Sequence, residues 1–238
     1  MDGVEPCVAH YGGVDLAALK AGLDARGLLC STISTGQAYG LEGISLSGED
    51  AALRERAVIR VKEHIDAAAY LGSHVTVGLL RGRGDARAKT AGLARLRESL
   101  AACAEHARAK GVTLLLEPIN RYESCLLNSA EEAAAFLDEG GGLSDLRVLW
   151  DVFHANIEDA SFERALDAIG DKLGYVHLAD SNRAFPGQGH TDFDAVFRLL
   201  EKAGYAGFVS FECLNRPSRE YVREHAGAFV SSMRCLLS

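Results

Sequence analysis

Short, almost continuously apolar runs alternate with longer amphipathic ones along the whole chain. Seven runs read as strands, over residues 3–8, 28–35, 74–80, 113–118, 147–152, 174–180 and 208–213. Such runs lack polar alternation, as expected of parallel strands covered on both faces. Between them the period lengthens. Over 49–71, Leu53, Ala57, Val61, Ile65 and Ala68 recur three or four apart with Arg, Lys and Glu opposite, which predicts an amphipathic helix. Leu16, Leu19 and Leu23 do the same ahead of Gly27, a helix stop. Further helices are predicted over 89–110, 129–138, 161–169, 192–203 and 219–237, with a glycine loop at 140–142.

Repeated strand–helix units imply a parallel α/β sheet, either an open doubly wound sheet or a closed (β/α) barrel. An open dinucleotide-binding sheet would carry GxGxxG after its first strand, and none lies there. The chain has no low-complexity linker and no strong internal repeat. A single barrel domain over 1–238 is therefore expected, a length that barrels of this class reach undivided.

Composition narrows the partners. Apolar residues make up 48% of the chain and charged ones 24%, ordinary values for a globular protein. The formal charge of -8 argues against nucleic acid, whose phosphates are bound mainly by clustered Lys and Arg. No apolar run approaches the roughly 20 residues of a membrane span, and no charged-then-apolar leader is present. The six cysteines are scattered without a CxxC pair, which reads as reduced thiols in the cytoplasm.

Four consecutive strands end in a metal-capable residue: Leu116-Glu117, Trp150-Asp151, Val176-His177 and Phe211-Glu212. Taken singly, each carboxylate reads more readily as a cap or a salt bridge, and the histidine as a hydrogen-bonded core residue. A charged group closing a buried strand is costly unless it is paired, metal-bound or opened to solvent at a site. In a (β/α) barrel the carboxyl ends of the strands line the active-site mouth. Neighbouring strands lie about 4.8 Å apart, so four adjacent ends can converge on one ion. Three carboxylates and one imidazole suit a divalent ion open to substrate, with Mn²⁺ first and Mg²⁺, Co²⁺ or Zn²⁺ as alternatives. Glu117 and Glu212 come from the outer two of the four strands and should flank the ion. A substrate chelating through a carbonyl and its neighbouring hydroxyl would have its α-hydrogen acidified. One carboxylate could then remove that proton while the other returns one from the opposite face, which is epimerisation through an enediolate.

The sequence resembles the xylose-isomerase-like TIM barrel superfamily. Within it the likeness is to the ketose 3-epimerases, and in particular to 5-keto-L-gluconate epimerase-like proteins. The segments that carry it are Thr35-Gly36-Gln37-Ala38-Tyr39, the stretch from Gly78 to Arg83, the stretch from Leu116 to Glu123, the stretch from Trp150 to Glu158, His177-Leu178-Ala179-Asp180-Ser181-Asn182-Arg183, the stretch from Pro186 to His190, and Phe211-Glu212-Cys213. The resemblance implies that Glu117 and Glu212 are both metal ligands and the catalytic acid/base pair, with Asp151 and His177 completing the metal site. It implies substrate contacts from His154 and Arg183, a substrate or orienting contact from Glu123, and a pocket or loop role for His190. Arg183, with Arg81 and Arg83 as further candidates, would pair with a substrate carboxylate. The substrate would be a small sugar or sugar acid, and the assembly a homo-oligomer, a dimer or tetramer.

The family pattern places a strand and helix ahead of the segment around Gly3, so the resemblance also implies a barrel lacking its first strand–helix unit, with seven strands. Three other readings stand beside epimerisation. An aldose–ketose isomerase of the hydroxypyruvate type would share the same four metal residues. An apurinic-site endonuclease would recruit extra histidines from the early strand ends, where this chain has none. A non-catalytic truncated barrel would bind metal or a sugar acid without turnover.

Overall fold

Parallel strands need a long return connection, and helices supply it here. The strands are β1 (Gly3–Val4), β2 (Leu29–Cys30), β3 (Thr32–Ser34), β4 (His74–Val77), β5 (Leu114–Leu116), β6 (Arg147–Asp151), β7 (Leu173–Leu178) and β8 (Val209–Phe211). Among them run α1 (Leu16–Asp24), α2 (Gly36–Glu42), α3 (Ala51–Leu71), α4 (Lys89–Lys110), α5 (Ala130–Asp138), α6 (Val152–Glu158), α7 (Phe162–Ile169), α8 (Phe193–Lys202) and α9 (Arg219–Leu236). The structure is a computed structural model that describes residues 1–236, so the expected last residue of the final helix, 237, lies outside the described residues.

The helices begin where capping chemistry lies. Asp50 accepts from the N–H groups of Ala52 and Leu53, Ser129 from Glu132, Ser161 from Arg164 and Asp192 from Ala195. Gly72 and Gly111 end α3 and α4 in the left-handed region. In α3, the expected stripe is buried at Ala57, Val61, Ile65 and Ala68, while Leu53 packs half-buried beside it.

Strands β3 to β8 form one parallel sheet in chain order, and β1 pairs in parallel with β2 in a second, two-stranded sheet. This corrects the expectation of seven continuous strands. The run 2–8 does follow 29–34: Leu29 N–H donates to Asp2 O, Ser31 N–H to Val4 O and Ser34 N–H to Pro6 O. Pro6 has no N–H to return, so the ladder is broken there and resumes as a lone bridge between Cys7 and Ser34. Strand β4 also stops earlier than expected, because the chain turns at Gly78 into a tight helical turn, Leu79–Arg81.

Alternation along the strands sorts side chains by face. Outward residues such as Leu116, Val148, Trp150 and Val176 join the large core beneath the helices. Inward, Leu115, Leu149 and Tyr175 form a separate apolar cluster with Phe208 packed against it. Each fully buried side chain of this size contributes roughly 1.5–3 kcal/mol relative to exposure. Two residues further along the same faces stand Glu117, Asp151, His177 and, above Ser210, Glu212. The hydrophobic floor and the polar mouth are thus products of one alternation.

Among the described residues, β1 and β8 share no backbone ladder. Between them lies a cavity of about 600 Å³ walled by Gly3, Val4, Phe208, Phe211, Phe229 and Met233. Side chains span this seam on its inner side: Ser31 Oγ lies 2.7 Å from the Tyr175 hydroxyl, and Glu5 reaches across to Ser210 and His177.

Candidate metal centre

Asp151 ends β6 and faces His177 of β7 directly across the ladder. Its Oδ1 accepts from Phe153 N–H at 2.7 Å and from His154 N–H at 3.4 Å, capping α6. That leaves Oδ2 pointing inward. Glu117 lies one residue past β5, fixed by its N–H on Val77 O. The neighbouring strand end is Gly78, where a Cβ would run into Glu117 Oε2, so glycine leaves the carboxylate its place. Glu212 lies one residue past β8, its N–H on Leu178 O.

Glu117, Asp151, His177 and Glu212 each offer one ligand atom, and these atoms all lie within 4.8 Å of one another. His177 Nδ1 is 3.6 Å from Glu117 Oε1, 3.6 Å from Glu212 Oε2 and 3.9 Å from Asp151 Oδ2. Glu117 Oε1, Asp151 Oδ2 and His177 Nδ1 are buried and have no hydrogen-bond partner. A buried polar atom left so costs about 1–3 kcal/mol, and more when charged. Unpartnered donor atoms of these types, converging on one point, fit a hard divalent ion.

The electrostatics agree. Burial works against a charge on His177, yet Glu5 and Glu212 push its pKa well above the usual histidine range. Burial opposes ionisation of Glu117, but His177 and His154 beside it hold its carboxyl below the usual carboxylate range. Glu212 goes the other way: loss of hydration, with Glu117 and Asp151 close by, raises it well above that range. Its side chain is still 38% exposed, so it is the member of the set that faces solvent. A cation among the carboxylates would remove the repulsion that raises Glu212.

Three of the four expected substrate-side residues adjoin this cluster. His154 is buried, with Nε2 3.9 Å from both Glu117 Oε1 and Asp151 Oδ2. Its Nδ1 accepts from Asn120 Nδ2 at 2.7 Å, which leaves the proton on Nε2, facing the cluster. Asn120 Nδ2 also donates to Glu123 Oε1 at 2.9 Å. Arg183 joins the two sides: Nη1 donates to Glu123 Oε1 at 3.0 Å and Nη2 to Glu212 Oε2 at 3.1 Å, with the guanidinium over the Phe153 ring. Arg183 sits at φ 59, a left-handed conformation unusual for a side chain of its kind. His190 stands apart from this network. It is exposed, and its backbone N–H donates to Ser181 Oγ.

Arg81 and Arg83 both donate to backbone carbonyls, although Nε and Nη2 of Arg81 are buried without a hydrogen-bond partner. Arg81 is fully buried with Nη1 on Leu127 O, and Arg83 donates to the carbonyls of Tyr122 and Glu123. Sequence reasoning missed Glu5, Asn120 and Asp180. Asn120 was legible only as part of a motif. Glu5 had one signal, an inward position two residues after Gly3, which makes its strand the fifth to aim an ionisable group into the mouth.

The sequence matches the xylose isomerase-like TIM barrel family over residues 1–236. It is 39% identical over 170 residues to an L-ribulose 3-epimerase of Mesorhizobium japonicum, covering 70% of this chain and 57% of that protein. A D-psicose 3-epimerase of Agrobacterium fabrum is 30% identical over 210 residues, covering 86% of this chain and 71% of its own. The chain thus spans little more than half the length of the first of these relatives. The fold superposes on a D-psicose 3-epimerase solved with D-tagatose, from Clostridium cellulolyticum H10. That match has a TM-score of 0.87 at 24% identity, over 100% of this chain and 90% of the other. At that identity the match speaks for the fold alone. With a family match over nearly its full length and a parallel sheet whose strand ends carry the ligand set, this chain belongs to the xylose isomerase-like TIM barrel family.

Proposed function

We propose that this chain is a divalent-metal-dependent epimerase of a keto-sugar or keto-sugar acid. The observation that carries the reading is the convergence of Glu117, Asp151, His177 and Glu212 around unpartnered buried ligand atoms. Epimerase activity in two relatives at 39% and 30% identity supports it. Mn²⁺ is the ion of this reading, and the setting is a cytoplasmic dimer or tetramer. No helix among the described residues is long and apolar enough to cross a membrane.

All four residues would hold the ion, which when bound supplies Lewis-acid polarisation of the substrate carbonyl and so acidifies the neighbouring C–H. Glu117 and Glu212 then divide the proton work from the two sides of the cluster, one removing the proton and the other returning it. Arg183, bonded to Glu212 Oε2, orients that carboxylate and balances its charge. His154 presents Nε2–H as a donor to a substrate oxygen. Glu123 ties Arg183 to Asn120 and so aligns the donor side, and His190, bonded through its backbone to Ser181, has a loop role in this reading.

The test is proton exchange in D₂O. The Mn²⁺-loaded protein is given a panel of ketohexoses and 5-keto-hexonates, and the products are examined for deuterium beside the carbonyl. Deuterium uptake together with a new epimer, both lost in Glu117→Gln and Glu212→Gln, is expected. A new aldose in place of an epimer would assign the chain to isomerisation. No uptake by folded, metal-loaded protein across the panel would count against both.

A further inference from the structure

The fourth inward carboxylate has no part in the ligand set, yet it touches it. Glu5 lies on the run that carries β1, and its side chain is only 11% exposed. Its Oε2 is 2.9 Å and its Oε1 3.1 Å from His177 Nε2, and Oε2 also accepts from Ser210 Oγ at 2.8 Å. His177 itself is completely buried, with Tyr175 packed edge-on against its ring.

A neutral imidazole carries one proton, and the nitrogen without it is the one that can ligate a metal. His177 presents Nδ1 to Glu117, Asp151 and Glu212, so Nδ1 must keep its lone pair and Nε2 must keep the proton. Within the protein, Glu5 supplies the acceptor that holds the proton at Nε2. Without that acceptor, the carboxylates facing Nδ1 would favour a proton there, on the nitrogen the ion needs. Glu5 lies 172 positions before His177 and reaches it across a seam with no backbone ladder. Ser210 Oγ donates to the same Oε2 that lies nearest His177 Nε2, so the carboxylate's direction is set from both strands it faces.

We infer that Glu5 is a positioning residue of the metal centre: it holds the proton of His177 on Nε2, orients the ring, and so sets the affinity of the site for its divalent ion. The inference rests on the metal-centre reading above and adds a residue that contacts neither ion nor substrate. Partners of this kind behind a ligating histidine typically govern metal affinity by about 10–100-fold.

The test reads Mn²⁺ binding to the metal-stripped full chain by electron paramagnetic resonance of the free aqua ion, alongside thermal midpoints of the metal-free proteins. Glu5→Met and Glu5→Ala both remove the acceptor, one keeping the side-chain length, so either one that folds reports the effect. Both are expected to bind Mn²⁺ about 10–100-fold more weakly. Glu5→Gln keeps an acceptor oxygen and should recover most of the loss. Ser210→Ala leaves the Glu5–His177 contact in place and should bind nearly as the wild type does. A purely structural Glu5 would lower the metal-free midpoint in Glu5→Met and Glu5→Ala but leave Mn²⁺ affinity unchanged, and that result overturns the inference. The control is His177→Ala. If it abolishes binding while Glu5→Met does not, the metal centre stands and the role of Glu5 falls. If the wild type itself takes up no Mn²⁺, both fall.

Discussion

Asn120 concentrates the logic of the site in one side chain. Its amide donates to His154 Nδ1 and to Glu123 Oε1, and its carbonyl oxygen accepts from Tyr122 N–H. Asparagine can do all three because it carries both donors and an acceptor. An aspartate of the same shape would put an acceptor opposite His154 Nδ1, draw the ring proton to that nitrogen, and leave Nε2 without one. Asn120→Asp should therefore fold with little change in midpoint yet lose about 10²-fold or more in turnover, the usual scale of one well-placed donor in a transition state. Steady-state kinetics on the substrate found by the exchange assay, set beside thermal melts, would check this. Equal activity would show that His154 does not act through Nε2–H.

At the scale of elements, the loop after β7 depends on a single buried carboxylate. Asp180 Oδ1 accepts from Ser181 N–H at 2.7 Å and Thr191 N–H at 3.1 Å, while Oδ2 accepts from Gly187 N–H at 2.7 Å. Burial alone would raise its pKa, but these backbone donors prevail and hold it below the usual range. Its stabilising contribution is therefore complete above the unfolded value of 3.8 and is lost as pH falls through the lower folded value. Asp180→Asn turns an NH₂ toward backbone donors and should cost about 2–3 kcal/mol near neutral pH. The gap in midpoint between the two proteins should stay level above about pH 5 and close as the pH drops below the unfolded carboxyl value. Limited proteolysis should cut the variant within 181–191 first. A variant as resistant as wild type would mean the loop is held by other contacts.

The same scale shows how much was legible in the sequence. Uninterrupted apolar runs located the parallel strands, and the polar residue closing each of four of them located the metal cluster. Both signals are local, because strand alternation alone decides which way residue 115 or 117 points. The breaks were less legible. Pro6 interrupts a ladder only because its neighbour strand expects a donor there, and Gly78 turns the chain where an extended run would have continued. Glu5 and Asn120 were hidden for a related reason. Their roles lie in partners 172 and 34 positions away, and no period along the chain records such distances.

For the whole molecule, the three unpartnered atoms of the metal centre are a standing cost that a cation would relieve. Anything that binds the folded chain and not the unfolded one raises its stability by mass action. At a free Mn²⁺ concentration a hundredfold above its Kd the gain is about 2.7 kcal/mol, which for a chain of this length raises the midpoint by roughly 5–10 °C. Melts in excess EDTA and in excess Mn²⁺ would measure it. The Glu117→Gln variant, which weakens the ligand set, should show a smaller shift. An identical midpoint with and without metal would mean that no ion is held by the folded form.

The seam between β1 and β8 gives this last effect a direction. A backbone ladder closes cooperatively, residue by residue, whereas a few side-chain contacts open one at a time. For the two edges to part, few inter-strand hydrogen bonds would have to be lost together, since among the described residues they share no backbone ladder. Glu5 ties that motion to the ligand set, since parting the edges draws the carboxylate away from His177. Parting of these edges and loosening of the His177 ligand would then go together, so an ion bound at the centre would also hold the two edges near each other.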